Sequence, residues 1–262
     1  MQTPNTAPTP AAGSDSELVA ALLRGAAQQR FIVANALRHE LLSLANASDA
    51  VATVKITWWY DELRRASAGN ARHPLTDALA ATTGQQSSDW SIFEEYLVLV
   101  ESWLRGERPT NLEECRVAMF RQYAPALYWC FDAATAASAE ASGTVHHVAI
   151  AAGFADSALA LINQASPPLV SLPTEWTDTH WQQDRPARMQ LVQSCVAAGQ
   201  AELAACSQST HHETTTAVIA ALTRGKLRAA KRNRSAGKFM QLLRAWRSVR
   251  RVHKRLRNND DN

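Results

Sequence analysis

Apolar residues in this chain recur at intervals of three and four, and nowhere do they settle into strict alternation. Val33, Leu37, Leu41 and Leu44 step by four, four and three, and Ala52, Ile56, Trp59 and Leu63 follow the same rhythm. That spacing lays the apolar side chains along one stripe of a helix, whereas a half-buried strand needs a period of two. A chain that offers stripes and no alternating faces can bury its apolar surface only by packing helix on helix. The composition agrees: alanine is abundant and Val, Ile and Phe are sparse, which favours helix over strand. The expected fold class is all-α.

Glycine, proline and capping residues punctuate the pattern. Residues 1–14 are rich in Pro, Thr and Ala, carry no Lys or Arg and contain no apolar run, so they read as a disordered leader. Asp15 or Ser16 then caps a long helix ending near Ala47. Ser48 and Asp49 open a second helix that stops at Gly69, and Pro74 starts a third that Gly84 and the Ser87–Asp89 cluster break. A fourth is expected from Trp90 to Leu104 with Gly106 as its stop, and a fifth from Thr110 to Ala139, bent at Pro125. Gly143 is expected to separate it from a helix over Val145–Gln164, which Pro167 and Pro168 end. Further helices cover Pro186–Cys206 and Thr214–Leu256, the latter with a weak point at Gly237. No repeat or linker divides the chain, so residues 15–256 read as one helical domain, with a basic C-terminal helix over 214–256 and a tail over 257–262.

The four cysteines, Cys115, Cys130, Cys195 and Cys206, are far apart with no CxxC pair, so they read as reduced structural thiols. The most apolar run, Val148–Ile162, is short for a membrane span and contains Asp156. With no targeting segment, the expected location is cytoplasmic. The net charge of +3 conceals an asymmetry: Arg224–Arg257 holds fourteen Lys/Arg and no acid, leaving the rest of the chain at −11. Phe239, Leu242, Trp246, Val249, Val252 and Leu256 fall at helical spacing within that block. Two readings stay open for it: a final helix packed on the bundle, or a contact with an anionic membrane surface or an acidic protein through 224–257. No nucleic-acid reading motif accompanies the charge.

The most informative stretch is K-I-T-W-W-Y-D-E-L over Lys55–Leu63, followed by G-N-A-R-H-P-L-T-D-A-L over Gly69–Leu79. Upstream stands A-N-A-L-R-H-E-L, and downstream A-A-G-F-A-D-S-A-L-A-L-I and then S-L-P. In this order the segments resemble the squalene/phytoene synthase family from about Leu18 to Pro173, most specifically around Trp58-Trp59. The resemblance implies a single-domain isoprenoid-synthase-like helical bundle. In its catalytic members, two prenyl diphosphates are joined, and Asp-x-x-x-Asp pairs on two facing helices hold the magnesium that neutralises the leaving diphosphate.

Aligned on those motifs, the first aspartate pair would fall at Leu42 and Asn46, with Ser43 also replacing an acid, and the second at Gln164 and Pro168. None is a carboxylate, and neutral amides and hydroxyls bind magnesium poorly. Glu40 and Asp156 are the nearest acids, and neither restores a pair at i, i+4. No catalytic residue is assigned, no metal ligand is expected, and magnesium enters only if the chain is active after all. His39-Glu40 does not continue into HExxH, and the adjacent pairs His146-His147 and His211-His212 make poor chelates.

What remains is a polar stripe of His39, Ser43 and Asn46, with Lys55 where the family usually has arginine. Together with Trp59 and Gln164 these residues either line a surviving pocket for an isoprenoid or lipid, or form a hydrogen-bonded core network. The functional expectation is a non-catalytic protein of this family type: a peripheral-membrane accessory or assembly factor at the inner membrane, or an isoprenoid/lipid-binding protein. The family offers a precedent in a complex I assembly factor that keeps the Trp-Trp segment without full aspartate motifs. The alternative is an active head-to-head prenyltransferase.

Overall fold

The computed structural model describes residues 15–23, 25–46, 49–83, 89–129, 139–163, 172–177, 184–206 and 214–232. The expectations for the leader, Cys130, Gln164, Pro168, His211, His212 and everything beyond Arg232 lie outside these residues. Among the described residues the regular elements are helices alone: α1 (Asp15–Leu22), α2 (Gly25–Ser43), α3 (Asp49–Ser67), α4 (Pro74–Thr83), α5 (Ser91–Leu104), α6 (Leu112–Tyr128), α7 (Ala139–Ile162), the single turn α8 (Thr174–Thr177), α9 (Arg185–Cys206) and α10 (Thr214–Lys231). A 3-10 turn, Leu44–Asn46, extends α2.

Both stripes read from the sequence face inward. Val33, Leu37, Leu41 and Leu44 are buried along α2, as are Ala52, Ile56, Trp59 and Leu63 along α3. Helix α7 lies at the centre and packs on α9, α6 and α10, while α2 packs on α4, α5 and α6. The α6–α7 contact is close because Gly153 lacks a side chain. A Cβ there would sit 2.7 Å from Met119 Cγ and 2.8 Å from Met119 Cβ.

Helix ends follow the expected chemistry in most places. Gly69 and Gly106 take φ of 77° and 70°, the left-handed conformation that terminates helices at least cost. The Asn70 amide then reaches back to the Arg65 carbonyl at 2.8 Å, and that of Glu107 to Ser102 at 2.9 Å. Helix α6 is capped by Asn111, one residue after the expected Thr110: its side chain accepts from the Glu114 amide, and the Glu114 carboxylate returns to the Thr110 amide at 2.8 Å.

Three helix boundaries differ from the sequence reading: the fifth helix, expected to reach Ala139, ends at Tyr128 with Trp129 as its C-cap, and Ala139 instead opens α7. The long first helix is broken before Gly25, which sits at φ 59°, and the Gln28 side chain seals the break by donating to the Ala20 carbonyl at 2.7 Å. Conversely, Gly143 does not separate two helices but lies inside α7. The cost of a helical glycine, about 1 kcal/mol, is outweighed by the tertiary packing of α7 and by a 2.8 Å hydrogen bond between Ser142 and Tyr128 at the end of α6. Continuing through Gly143 makes Ser142–Ile162 long and apolar enough to cross a membrane, yet two thirds of its most apolar window is buried against its neighbours. That is also the pattern of a core helix.

Candidate functional site

The Trp-Trp segment organises the joint between α3 and α4. Trp59 is buried and stacks at 4.7 Å on His73, while Trp58 meets Trp59 edge-on at 5.1 Å and remains 42% exposed. Beneath them the Glu62 carboxylate is fully buried. Its Oε1 accepts from the Arg72 and His73 amides at 2.7 and 2.8 Å and from the Thr76 hydroxyl at 2.5 Å, and its Oε2 accepts from Arg65 at 3.0 Å. Burial alone would raise this carboxyl, but the donors from Thr76, His73, Arg72 and Arg65 together hold it below its ordinary value. The Asp-Glu-Leu and Gly…His-Pro elements are thus one structural latch: the carboxylate satisfies amides of the loop that turns α3 into α4.

A second polar system threads the interior between α2, α5, α6, α7 and α10. Arg38 on α2 donates to the Gln122 carbonyl at 3.3 Å and to Asn35 Oδ1 at 3.3 Å, and its guanidinium lies 5.7 Å from the centre of the Tyr123 ring. Pro125, inside α6, supplies no N–H to the Arg121 carbonyl, one residue before the carbonyl that accepts from Arg38. The Tyr123 hydroxyl donates to Asp156 Oδ2 at 2.6 Å, and Lys226 of α10 pairs with Asp156 Oδ1. Both carboxylate oxygens of Asp156 therefore have a partner within the chain. Tyr96 of α5 is fully buried beside Arg38, and burial pushes its phenol up against the pull of that cation.

A third carboxylate, Glu202 on α9, is 2% exposed and is held by Arg116 of α6 and by His147 Nδ1 at 2.8 Å. His147 thus serves an ion-pair cluster, and its neighbour His146 stacks on Phe120 at 4.9 Å. Among the described residues no group of three or more His, Cys, Asp or Glu side chains is placed to hold a metal ion. Cys115, Cys195 and Cys206 are buried, and burial pushes the Cys115 thiol up to about 12.

Of the residues singled out in the sequence, Gln164 and the Asn46 side chain lie outside what the structure describes. His39, Ser43 and Lys55 are exposed, and Trp59 belongs to the core. Burial and the neighbouring Arg38 lower the His39 pKa, and the Ser43 hydroxyl is spent on the Glu40 carbonyl at 2.6 Å. Asn46 closes the 3-10 turn, and Leu42, one of the positions where the family pattern would place an aspartate, is half-buried against the core. Glu40, the single acid of α2, is exposed. The cleft of about 300 Å³ between α5 and α6, lined by Leu99, Trp103, Val117 and Arg121 among others, contains none of these residues.

Sequence reasoning missed Arg38, Tyr123 and Lys226. The one available signal was Arg38 itself, a cation whose i−4 and i+4 neighbours, Ala34 and Leu42, are apolar.

No family model and no curated protein matches the chain. Solved structures do. A dehydrosqualene synthase in complex with ligand superposes with a TM-score of 0.73 at 10% identity, covering 91% of each chain. Squalene synthase HpnC from Alicyclobacillus acidocaldarius gives a TM-score of 0.54 at 14% identity, covering 92% of this chain and 88% of that one. The chain has the all-α, isoprenoid-synthase-like fold of squalene and dehydrosqualene synthases.

Proposed function

We propose that this chain is a non-catalytic relative of the squalene and phytoene synthases, acting as an isoprenoid- or lipid-binding accessory protein at a membrane surface. The observation that carries the reading is the state of three carboxylates, two of them buried. Ionising a prenyl diphosphate places new negative charge on the leaving group, and the metal that offsets it needs carboxylate oxygens with free lone pairs. Glu62 is committed to the α3–α4 joint, Asp156 to Tyr123 and Lys226, and Glu202 to Arg116 and His147. Leu42 and Ser43 offer α2 no replacement.

The cleft between α5 and α6, lined in part by Leu99, Trp103, Val117 and Ala118, offers apolar surface that suits an isoprenoid or lipid chain. The cationic block 224–257 favours a cytoplasmic site peripheral to the inner membrane, where anionic headgroups attract Lys and Arg. Mass spectrometry of organic extracts from the purified protein tests the binding role. A stoichiometric isoprenoid or lipid supports it, and a protein that carries none and takes up none from vesicles contradicts it. The likeness in fold to two synthases favours the second reading, an active head-to-head prenyltransferase, which turnover of a prenyl diphosphate would establish.

A further inference from the structure

We infer that the outer face of α3 is the surface that inserts into an anionic lipid bilayer; this rests on the peripheral-membrane reading above. Five large apolar side chains are exposed among the described residues, and three of them, Val51, Val54 and Trp58, stand on this one helix at 47%, 71% and 42% exposure. Their spacing of i, i+3 and i+7 puts them on a single stripe. That stripe flanks the buried face of Ala52, Ile56, Trp59 and Leu63, so the helix carries apolar side chains both toward the core and toward solvent.

The surroundings of the stripe have the chemistry of a headgroup contact. Lys55 is exposed beside it, and the Arg65 guanidinium lies 5.9 Å from the centre of the Trp58 ring. Asp61, three residues beyond Trp58, pairs with Arg64 at 3.3 Å. A half-exposed indole with flanking cations is the composition that settles at the boundary between headgroups and acyl chains. Three side chains fall well short of the roughly 800 Å² per partner that a stable protein interface buries, whereas shallow insertion needs only an apolar wedge and cations at headgroup level. The cationic block 224–257 supplies long-range attraction, and the α3 stripe supplies short-range insertion; stable surface binding commonly takes two such signals.

Sedimentation of the full chain with phosphatidylglycerol-containing vesicles, for wild type, Val54→Asp and Trp58→Phe, tests the inference. Val54→Asp should weaken partitioning by about tenfold, the scale expected from losing one apolar side chain's burial, with an unchanged thermal melt because Val54 faces solvent. Emission quenched by brominated acyl chains in the wild type should lose a component in Trp58→Phe. Wild-type binding that Val54→Asp leaves intact, with no Trp58-dependent quenching, overturns the inference while the membrane reading stands. If Val54→Asp abolishes self-association in the ultracentrifuge but not vesicle binding, the stripe belongs to a second copy and the inference is again overturned. No vesicle binding by the wild type even at low salt overturns the membrane reading, and this inference with it.

Discussion

The Glu62 and Asp156 carboxylates are satisfied in contrasting ways. Glu62 is fully buried, and its partners lie between three and fourteen residues away, two of them backbone amides of the adjoining loop. Asp156 is 37% exposed, and its partners, Tyr123 and Lys226, lie 33 and 70 residues away on other helices. The first is a local latch that fixes how α4 leaves α3, and the second is a long-range strap across the bundle. They share one feature: every carboxylate oxygen in both has a donor within the chain.

The contrast predicts a ranked set of effects. Glu62→Ala should be the most damaging change, because it strands two loop amides and Arg65 beside a buried void. We expect a loss of about 3–5 kcal/mol, read as a fall in Tm of about 2–4 °C per kcal/mol for a chain of this size. A small effect would break the latch account. Gly153→Ala should cost about 1–3 kcal/mol by overpacking, since the new methyl meets Met119 Cβ as well as its more adaptable Cγ. Denaturant unfolding would measure this, and in a double-mutant cycle with Met119→Ala the combined loss should be smaller than the sum of the two single losses. Asp156→Asn should cost less, about 1 kcal/mol, because the site is partly solvated and the amide oxygen still accepts from Tyr123 or Lys226.

The smallest effect concerns pH. The Glu62 carboxyl is held below its ordinary value of 4.5, so its contribution is complete above that value and is lost as pH falls through the folded-state pKa. Stability should therefore decline on acidification below pH 4.5, and Glu62→Gln should flatten that decline. Parallel acid titrations of the two proteins by circular dichroism would show it, and identical slopes would assign the acid loss to other groups.

The same contrast explains what could be read from the sequence. Stripes such as Val33–Leu44 and Ala52–Leu63 were legible because helical burial follows a local period, and Gly69, Gly106 and Pro74 because their backbone chemistry is local. The Asp-Glu-Leu…His-Pro order was legible as a pattern, although its physical content, a carboxylate capping a loop, needed coordinates. The Arg38–Tyr123–Asp156–Lys226 system was not legible, since its members lie on four helices and no local rule pairs them. Gly143 misled because glycine has a strong intrinsic cost in a helix, and here tertiary packing overrides it. Gly25 was passed over for the converse reason: a periodic pattern ran across it, and only its positive φ marks the break.

Among the described residues Glu62, Asp156 and Glu202 all have partners within the chain, and on this rests the proposal that the fold here works without synthase chemistry. Its most direct test is diphosphate release from farnesyl or geranylgeranyl diphosphate by the purified full chain, with and without magnesium. No release above the protein-free control is expected under either condition. Magnesium-dependent release that scales with protein concentration and yields a coupled hydrocarbon product would contradict it.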